Sequence, residues 1–314
     1  MAISHFSFGQ SIDNNPASAL SALSAIGGDW TTHLTTLRAD APDGSEVIVP
    51  DNFGVLRSDN NSVLGVVGNR YTTIQNSEAF EFMDSLLPLG ANIVGGGDFG
   101  AGRKVFLQAH LGDLKIENKH FGDDFDMVRK YLLVVNSHDG SSPLRAFATN
   151  IRVVCQNTLM AAIRNQDNGV NIRHTANAKS RMAEAVRVWR MQEQYNEEFA
   201  QVMQTFADTD MSASQMRAFI EELMPAKADS KVSTRGDNTR NEIANLFTEG
   251  KGNAGKTVWD AWNAVTEYVD HHRGTRLLNG AEASETRKVS SLWGSGANLR
   301  QEAMDLLLDF AQVR

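Results

Sequence analysis

Residues 129–157 read RKYLLVVNSHDGSSPLRAFATNIRVVCQN. Their apolar positions recur with a period nearer two than 3.6, and the interruption at residues 138–143, HDGSSP, is dense in turn formers. The pattern predicts two strands joined by that turn. Working outward, the same period holds from Glu46 to about Thr175. EVIVP (46–50), FGVLRSD (53–59) and NSVLGVVGNRY (61–71) predict three short strands, with turns at Pro50-Asp51-Asn52 and Asp59-Asn60-Asn61. Ser77 opens a helix that stops at Pro88 and Gly90. Residues 91–112, ANIVGGGDFGAGRKVFLQAHLG, predict a hairpin whose turn is shaped by its glycines. A short helix over 157–166 and an edge strand over 171–175 follow.

After Ala176 the pattern becomes helical, over Ala178–Phe206, Ser212–Leu223, Asn241–Phe247, Lys256–His272 and Leu299–Phe310. Before Glu46 the chain is rich in small and polar residues, with one short helix expected near Ala17–Ile26 and a strand suggested at 34–39. Three regions are expected: a flexible arm over 1–45, an α+β core over 46–175 and a helical region over 176–314. The fold class is α+β, a curved, mostly antiparallel sheet with packed helices followed by a helical half.

The chain has 314 residues, 41% of them hydrophobic and 22% charged, which excludes a disordered tail. No apolar run approaches the ~20 residues needed to span a bilayer, and the start MAISHFSFGQ lacks the pattern of a signal peptide. The lone Cys155 offers neither an internal disulfide nor a thiolate zinc site. A soluble, cytoplasmic protein is expected. The net charge, 30 − 38 = −8, argues against a uniformly basic nucleic-acid binder but leaves room for a local basic groove.

Three motifs invite chemistry. Gly250 to Thr257, GKGNAGKT, satisfies the phosphate-loop pattern G-x-x-x-x-G-K-[ST], but the residues before it, NEIANLFTE, read as a helix where that loop requires a strand. A glycine-rich loop leading into a helix near Thr257 is expected instead, and no cofactor. Cys155 ends an apolar run, where a buried thiol is commoner than a nucleophile. His138 with Asp139, and Asp270 with His271 and His272, are candidate metal ligands, though neither group has the spacing of a strong motif. A tight turn and a helix C-terminus are the favoured explanations of the two groups.

Charge is sorted along the chain. Between Arg129 and Arg181 stand eight basic residues, Arg129, Lys130, Arg145, Arg152, Arg164, Arg173, Lys179 and Arg181, against Asp139 and Asp167. That is 8 − 2 = +6, leaving −14 for the remainder. Arg70, Tyr71, Arg103 and Lys104 extend the set upstream, and Tyr71, Tyr131 and His174 are candidates for stacking on bases. The competing reading is a solvated face whose charges pair with the acidic helices.

Five blocks in order, LGVVGNRYTTIQNSEAFEFMDSL (64–86), GGGDFGAGRKVFLQAHL (95–111), YLLVVNSHDGSSPLRAFATNIRVVCQNTL (131–159), NIRHTANAKSRMAEA (171–185) and VWDAWNAVTEYVDHHRG (258–274), resemble the phage/plasmid-like family of domain of unknown function 932. The resemblance runs from about Phe53 to Arg273 and implies a mobile-element setting. Architecturally, a hairpin, a helix and a curved antiparallel sheet are similar to the core of single-strand annealing proteins. That likeness implies a ring or filament of subunits holding single-stranded DNA in a basic groove with its bases exposed.

The leading expectation is therefore a non-enzymatic DNA-binding protein of a phage or plasmid, of the single-strand annealing and recombination type. It would act as a homo-oligomer, without nucleotide hydrolysis, beside a recombination partner. The alternatives are a metal-dependent phosphodiesterase or nuclease using His138, Asp139, Asp270 and His271, and a counter-defence protein that binds a host protein.

Overall fold

The computed structural model describes residues 9–12, 16–120, 125–154, 157–159, 161, 168–172, 178–225, 234–274, 287, 290–292 and 294–313, with backbone alone at 178, 179, 181, 182, 234 and 235. The strands are β1 (Gln10–Ser11), β2 (Thr32–Asp40), β3 (Glu46–Arg57), β4 (Val63–Gly68), β5 (Asn92–Phe99), β6 (Lys104–Glu117), β7 (Phe125–Ser137), β8 (Arg145–Ala148), β9 (Ile151–Arg152) and β10 (Gly169–Asn171). The helices are α1 (Ala19–Ala25), α2 (Asn76–Phe80), α3 (Ala178–Asp208), α4 (Ala213–Leu223), α5 (Thr234–Glu249), α6 (Val258–Glu267) and α7 (Ser295–Phe310). One sheet has the order β1-β5-β6-β7-β8-β10 with β9 paired to β7, and a second has the order β2-β3-β4. The class is α+β, as expected.

The chain divides into two units that cut across the expected regions. The first comprises Met1–Leu111, Leu132–Phe147 and Gly169–Met191; the second comprises Gly112–Tyr131, Ala148–Asn168 and Gln192–Arg314. The reason lies in β6 and β7, which each serve two cores. Val105, Leu107, Leu132 and Val134 pack into the first core, Ile116 and Val128 into the second. Period-two alternation marks a buried face without saying which core it meets.

The expected arm is, in its described part, built into the first unit. Ser18 caps α1 by accepting from Ser21 N, and Ala19, Ala22 and Leu23 of α1 are buried. The α1 helix packs close to β5 because Gly96 has no side chain: a Cβ there would lie 2.7 Å from Leu107 and 3.0 Å from Ile26. Gly95 to Gly97 are thus strand residues opposite β1, not turn residues. The expected break at Pro50 is also absent, since β3 runs through it with Asp51 at φ 57°.

In the second unit, every residue of α6 is buried. A helix enclosed on all sides must find internal partners for its polar groups. Trp259 and Trp262 fill the core among Tyr195, Phe199, Phe206 and Leu307. The Trp259 indole N–H donates to Asp126 Oδ2 at 2.7 Å, and the same carboxylate takes the Arg152 guanidinium through Nε at 3.1 Å and Nη2 at 2.7 Å. Arg152 is 0% exposed and also donates to Lys251 O, Gly252 O and Asn253 Oδ1. One ion pair thereby joins β7, β9, α6 and the loop before α6.

Removing one partner of such a pair strands a buried charge, whereas removing both charges does not. Arg152→Met is expected to destabilise the protein by about 3–5 kcal/mol, and Asp126→Asn with Arg152→Met by less than the single change. Denaturant titration of the three proteins checks this; an Arg152→Met protein as stable as the parent refutes the assignment.

Candidate nucleic-acid interface

Five residues singled out in the sequence converge in the first unit around the turn that follows β7. The Tyr71 hydroxyl donates to Ser137 O at 3.2 Å, and His138 N donates to Arg103 O at 2.8 Å. Lys104 Nζ lies 3.3 Å from both Asp139 carboxylate oxygens and also contacts Ser141 Oγ. The chain comes so close here that a Cβ on Gly65 of β4 would stand 2.7 Å from Asp139 Cα. Burial pushes the Asp139 carboxyl up, but hydrogen bonds from Ser137 and Ser141 and the Lys104 charge outweigh it and hold the pKa at about 2. Burial, then the Asp139 charge, raises the Tyr71 phenol. Lys104 is therefore committed to the turn, while Arg70 and Arg103 are exposed.

His138 and Asp139 do not act as a pair. The His138 ring is 1% exposed, 5.0 Å from the Trp30 ring, which in turn carries the Arg57 guanidinium at 4.4 Å. Asn76 Nδ2 donates to Gly28 O, so Asn76 Oδ1 is the acceptor of both Asn136 Nδ2 at 3.1 Å and His138 Nε2 at 2.8 Å. His138 is thus neutral with its proton on Nε2, and burial lowers its pKa to about 4. The other candidate carboxylate, Asp270, accepts from Thr158 N at 2.7 Å and from Arg300 Nη1 at 3.2 Å, and His271 is exposed beside it. Among the described residues no three His, Cys, Asp or Glu side chains gather as a metal site. His138, Asp139 and Asp270 are each engaged by protein partners: Asn76, Ser137 with Lys104, and Thr158 with Arg300.

The phosphate-loop lookalike is occupied by its own protein. Thr257 caps α6, and the Asp260 carboxylate accepts from the amides of Ala254, Lys256 and Thr257 at 3.1, 3.0 and 3.1 Å. Amides that would face a phosphate in a nucleotide site face Asp260 here. The loop precedes the helix near Thr257, as expected.

The basic segment divides unequally. Arg152, expected to meet phosphate, is fully buried against Asp126, because β9 turns its side chain toward Trp259 at 5.3 Å. Tyr131 is 1% exposed and Tyr71 is half-buried, so neither presents a free ring face as expected. Arg145 lies 4.6 Å from the Phe147 ring in the first unit. Arg129 and Lys130 are partly exposed in the second. Cys155, Arg164, Arg173 and His174, and the side chains of Lys179 and Arg181, lie outside the described residues.

What the sequence reading passes over is Phe125. It opens β7 at 42% exposure with Lys115 Nζ of β6 over its ring at 4.4 Å. Alternation places Phe125, Met127 and Arg129 on one strand face. The available signal was that alternation, which begins directly after Asp123-Asp124. Asp113 and Glu117 alternate with Lys115 on β6, so the face offers an aromatic surface with few net charges.

A family model described as "Domain of unknown function (DUF932)" matches residues 63–293, which is 231 of the 314. The chain belongs to that family. No curated protein and no solved structure matches it. Among the described residues no helix is long and apolar enough to cross a membrane.

The buried histidine sets a pH dependence. Its folded pKa of about 4 lies below the unfolded value of 6.5, so the unfolded chain binds the proton more readily between these values. Stability is complete above pH 6.5 and is lost on acidification toward pH 4, by about 3 kcal/mol. His138→Gln is expected to flatten this acid limb in urea titrations across that range; an unchanged slope contradicts the assignment.

Proposed function

We propose that this chain is a DNA-binding protein of a mobile element, a phage or plasmid, that holds single strands for annealing or recombination in the host cytoplasm. The observation that carries the reading is the exposed Phe125 ring under Lys115, on a strand face that continues to Arg129, with Lys130 next along the strand on the opposite face. Single-strand binding without sequence preference needs a flat aromatic for bases and cations for the backbone; Phe125 is the aromatic, and Lys115 and Arg129 are the cations of its face, beside Asp113 and Glu117. The charge sorting of the sequence adds to this, since the segment from Arg129 to Arg181 is biased by +6 within an acidic chain. The resemblance of the five ordered sequence blocks to the phage/plasmid-like family supports the mobile-element setting. The reading requires no nucleotide, which agrees with the engagement of the Gly250–Thr257 amides by Asp260.

Fluorescence anisotropy with a labelled oligonucleotide tests the reading. Phe125→Ala is expected to weaken binding by about tenfold, the loss of ~1–3 kcal/mol for one stacked base. Arg129→Ala and Lys130→Ala are each expected to flatten the log–log salt slope by about 0.7. The absence of single-strand binding at low salt refutes the proposal, and so does binding that is indifferent to all three changes.

A further inference from the structure

The β2–β3 hairpin projects beyond the sheet to which it belongs. β4 pairs with β3 only from Asn52 to Leu56, whereas β2 accompanies β3 as far as the Asp40–Glu46 pair. Residues 37–51 therefore form a two-stranded ribbon and its turn, in which every residue except Leu37, Ala41 and Val49 is exposed. Val47 is 48% exposed and Ile48 is 62% exposed, and as consecutive strand residues they stand on opposite faces. Neither face is covered, yet two strands alone are marginal in water. The ribbon's outer edges pair with no other strand among the described residues, and such edges are a template for another chain.

Charge selects the occupant. The ribbon carries Asp40, Asp43, Glu46 and Asp51 against Arg38, 1 − 4 = −3, which repels a nucleic acid and repels a second ribbon. The complement is present on the same chain. Arg70 and Arg103 are exposed and have no acidic partner among the described residues. They flank one turn, since Tyr71 bonds Ser137 O and Arg103 O accepts from His138 N. We propose that the 37–51 ribbon is a self-association arm that docks on the Arg70–Arg103 surface of a second copy of this chain. The two patches differ, so the contact is heterologous, and copies add head to tail into a closed ring or an open filament.

The inference is independent of DNA binding and is tested without nucleic acid. Sedimentation velocity and light scattering of the full chain over a wide concentration range are expected to give masses that rise above 34.4 kDa and fall back as salt is added. Val47→Ser with Ile48→Ser alters only exposed side chains and is expected to abolish the larger species with the circular dichroism unchanged. Asp40→Lys, Asp43→Lys and Glu46→Lys together, and Arg70→Glu with Arg103→Glu, are each expected to lose association. Their equimolar mixture is expected to regain it, because the reversed patches complement each other. A parent protein of constant monomer mass at all concentrations overturns the proposal. So does an association that survives the ribbon changes, or one that survives Arg70→Glu with Arg103→Glu.

Discussion

The buried ion pair of Arg152 with Asp126 ties together several elements of the second unit. Arg152 and Asp126 come from neighbouring strands, and neither is accommodated alone: a guanidinium at 0% exposure requires its carboxylate, and the carboxylate requires its donors. Once paired, they dictate the surroundings. Asp126 Oδ2 accepts from the Trp259 indole as well as from Arg152, which ties α6 to β7. Arg152 has donors left for the carbonyls of Lys251 and Gly252, which fix the loop that enters α6. Gly252 adopts φ 72° there, and a Cβ on it would stand 2.7 Å from Val154 and 3.0 Å from Arg152 Nη2, so the loop approaches as closely as a glycine permits.

The same unit shows how a motif can be real in sequence and unavailable in chemistry. A run of amides before a helix N-terminus attracts an anion of either origin, a phosphate or a carboxylate of the chain. Asp260 is the third residue of α6, where it reaches those amides without leaving the helix, and Thr257 completes the capping box. An anion bound covalently to the loop it stabilises is always at hand. The glycines and the threonine of the lookalike thus serve the entry into a helix whose ten residues are all buried.

In the first unit the turn after β7 sorts adjacent residues into opposite environments. His138 points inward to Asn76 and beneath Trp30, while Asp139 points to Lys104, Ser137 and Ser141. A strand end does this by construction, because successive side chains leave opposite faces. Burial then pushes the histidine to its neutral form, and hydrogen bonding keeps the carboxylate ionised. The turn joins the segment after β4, the β5–β6 turn and the end of β7 by hydrogen bonds, with Arg70 and Arg103 left on its surface.

The class of fold was legible because alternation and helical spacing are local. The two strands around HDGSSP, the hairpin over 91–112, the cap at Thr257 and the long helix from Ala178 all follow from side-chain periods and turn chemistry within a few residues. The family was legible for a different reason, the order of five long phrases. What only the tertiary structure decided was the partner each residue meets. Charge counted along the chain could not separate Arg152, sealed against Asp126, from Arg129, partly open on the same sheet, since the two differ in what lies across the strand. Nor could composition tell that Ile26, at the end of α1, packs closely on Gly96, or that β6 and β7 each serve two cores. Periodicity fixes which way a side chain points; burial and pairing depend on residues a hundred positions away, and those are brought together only by the fold.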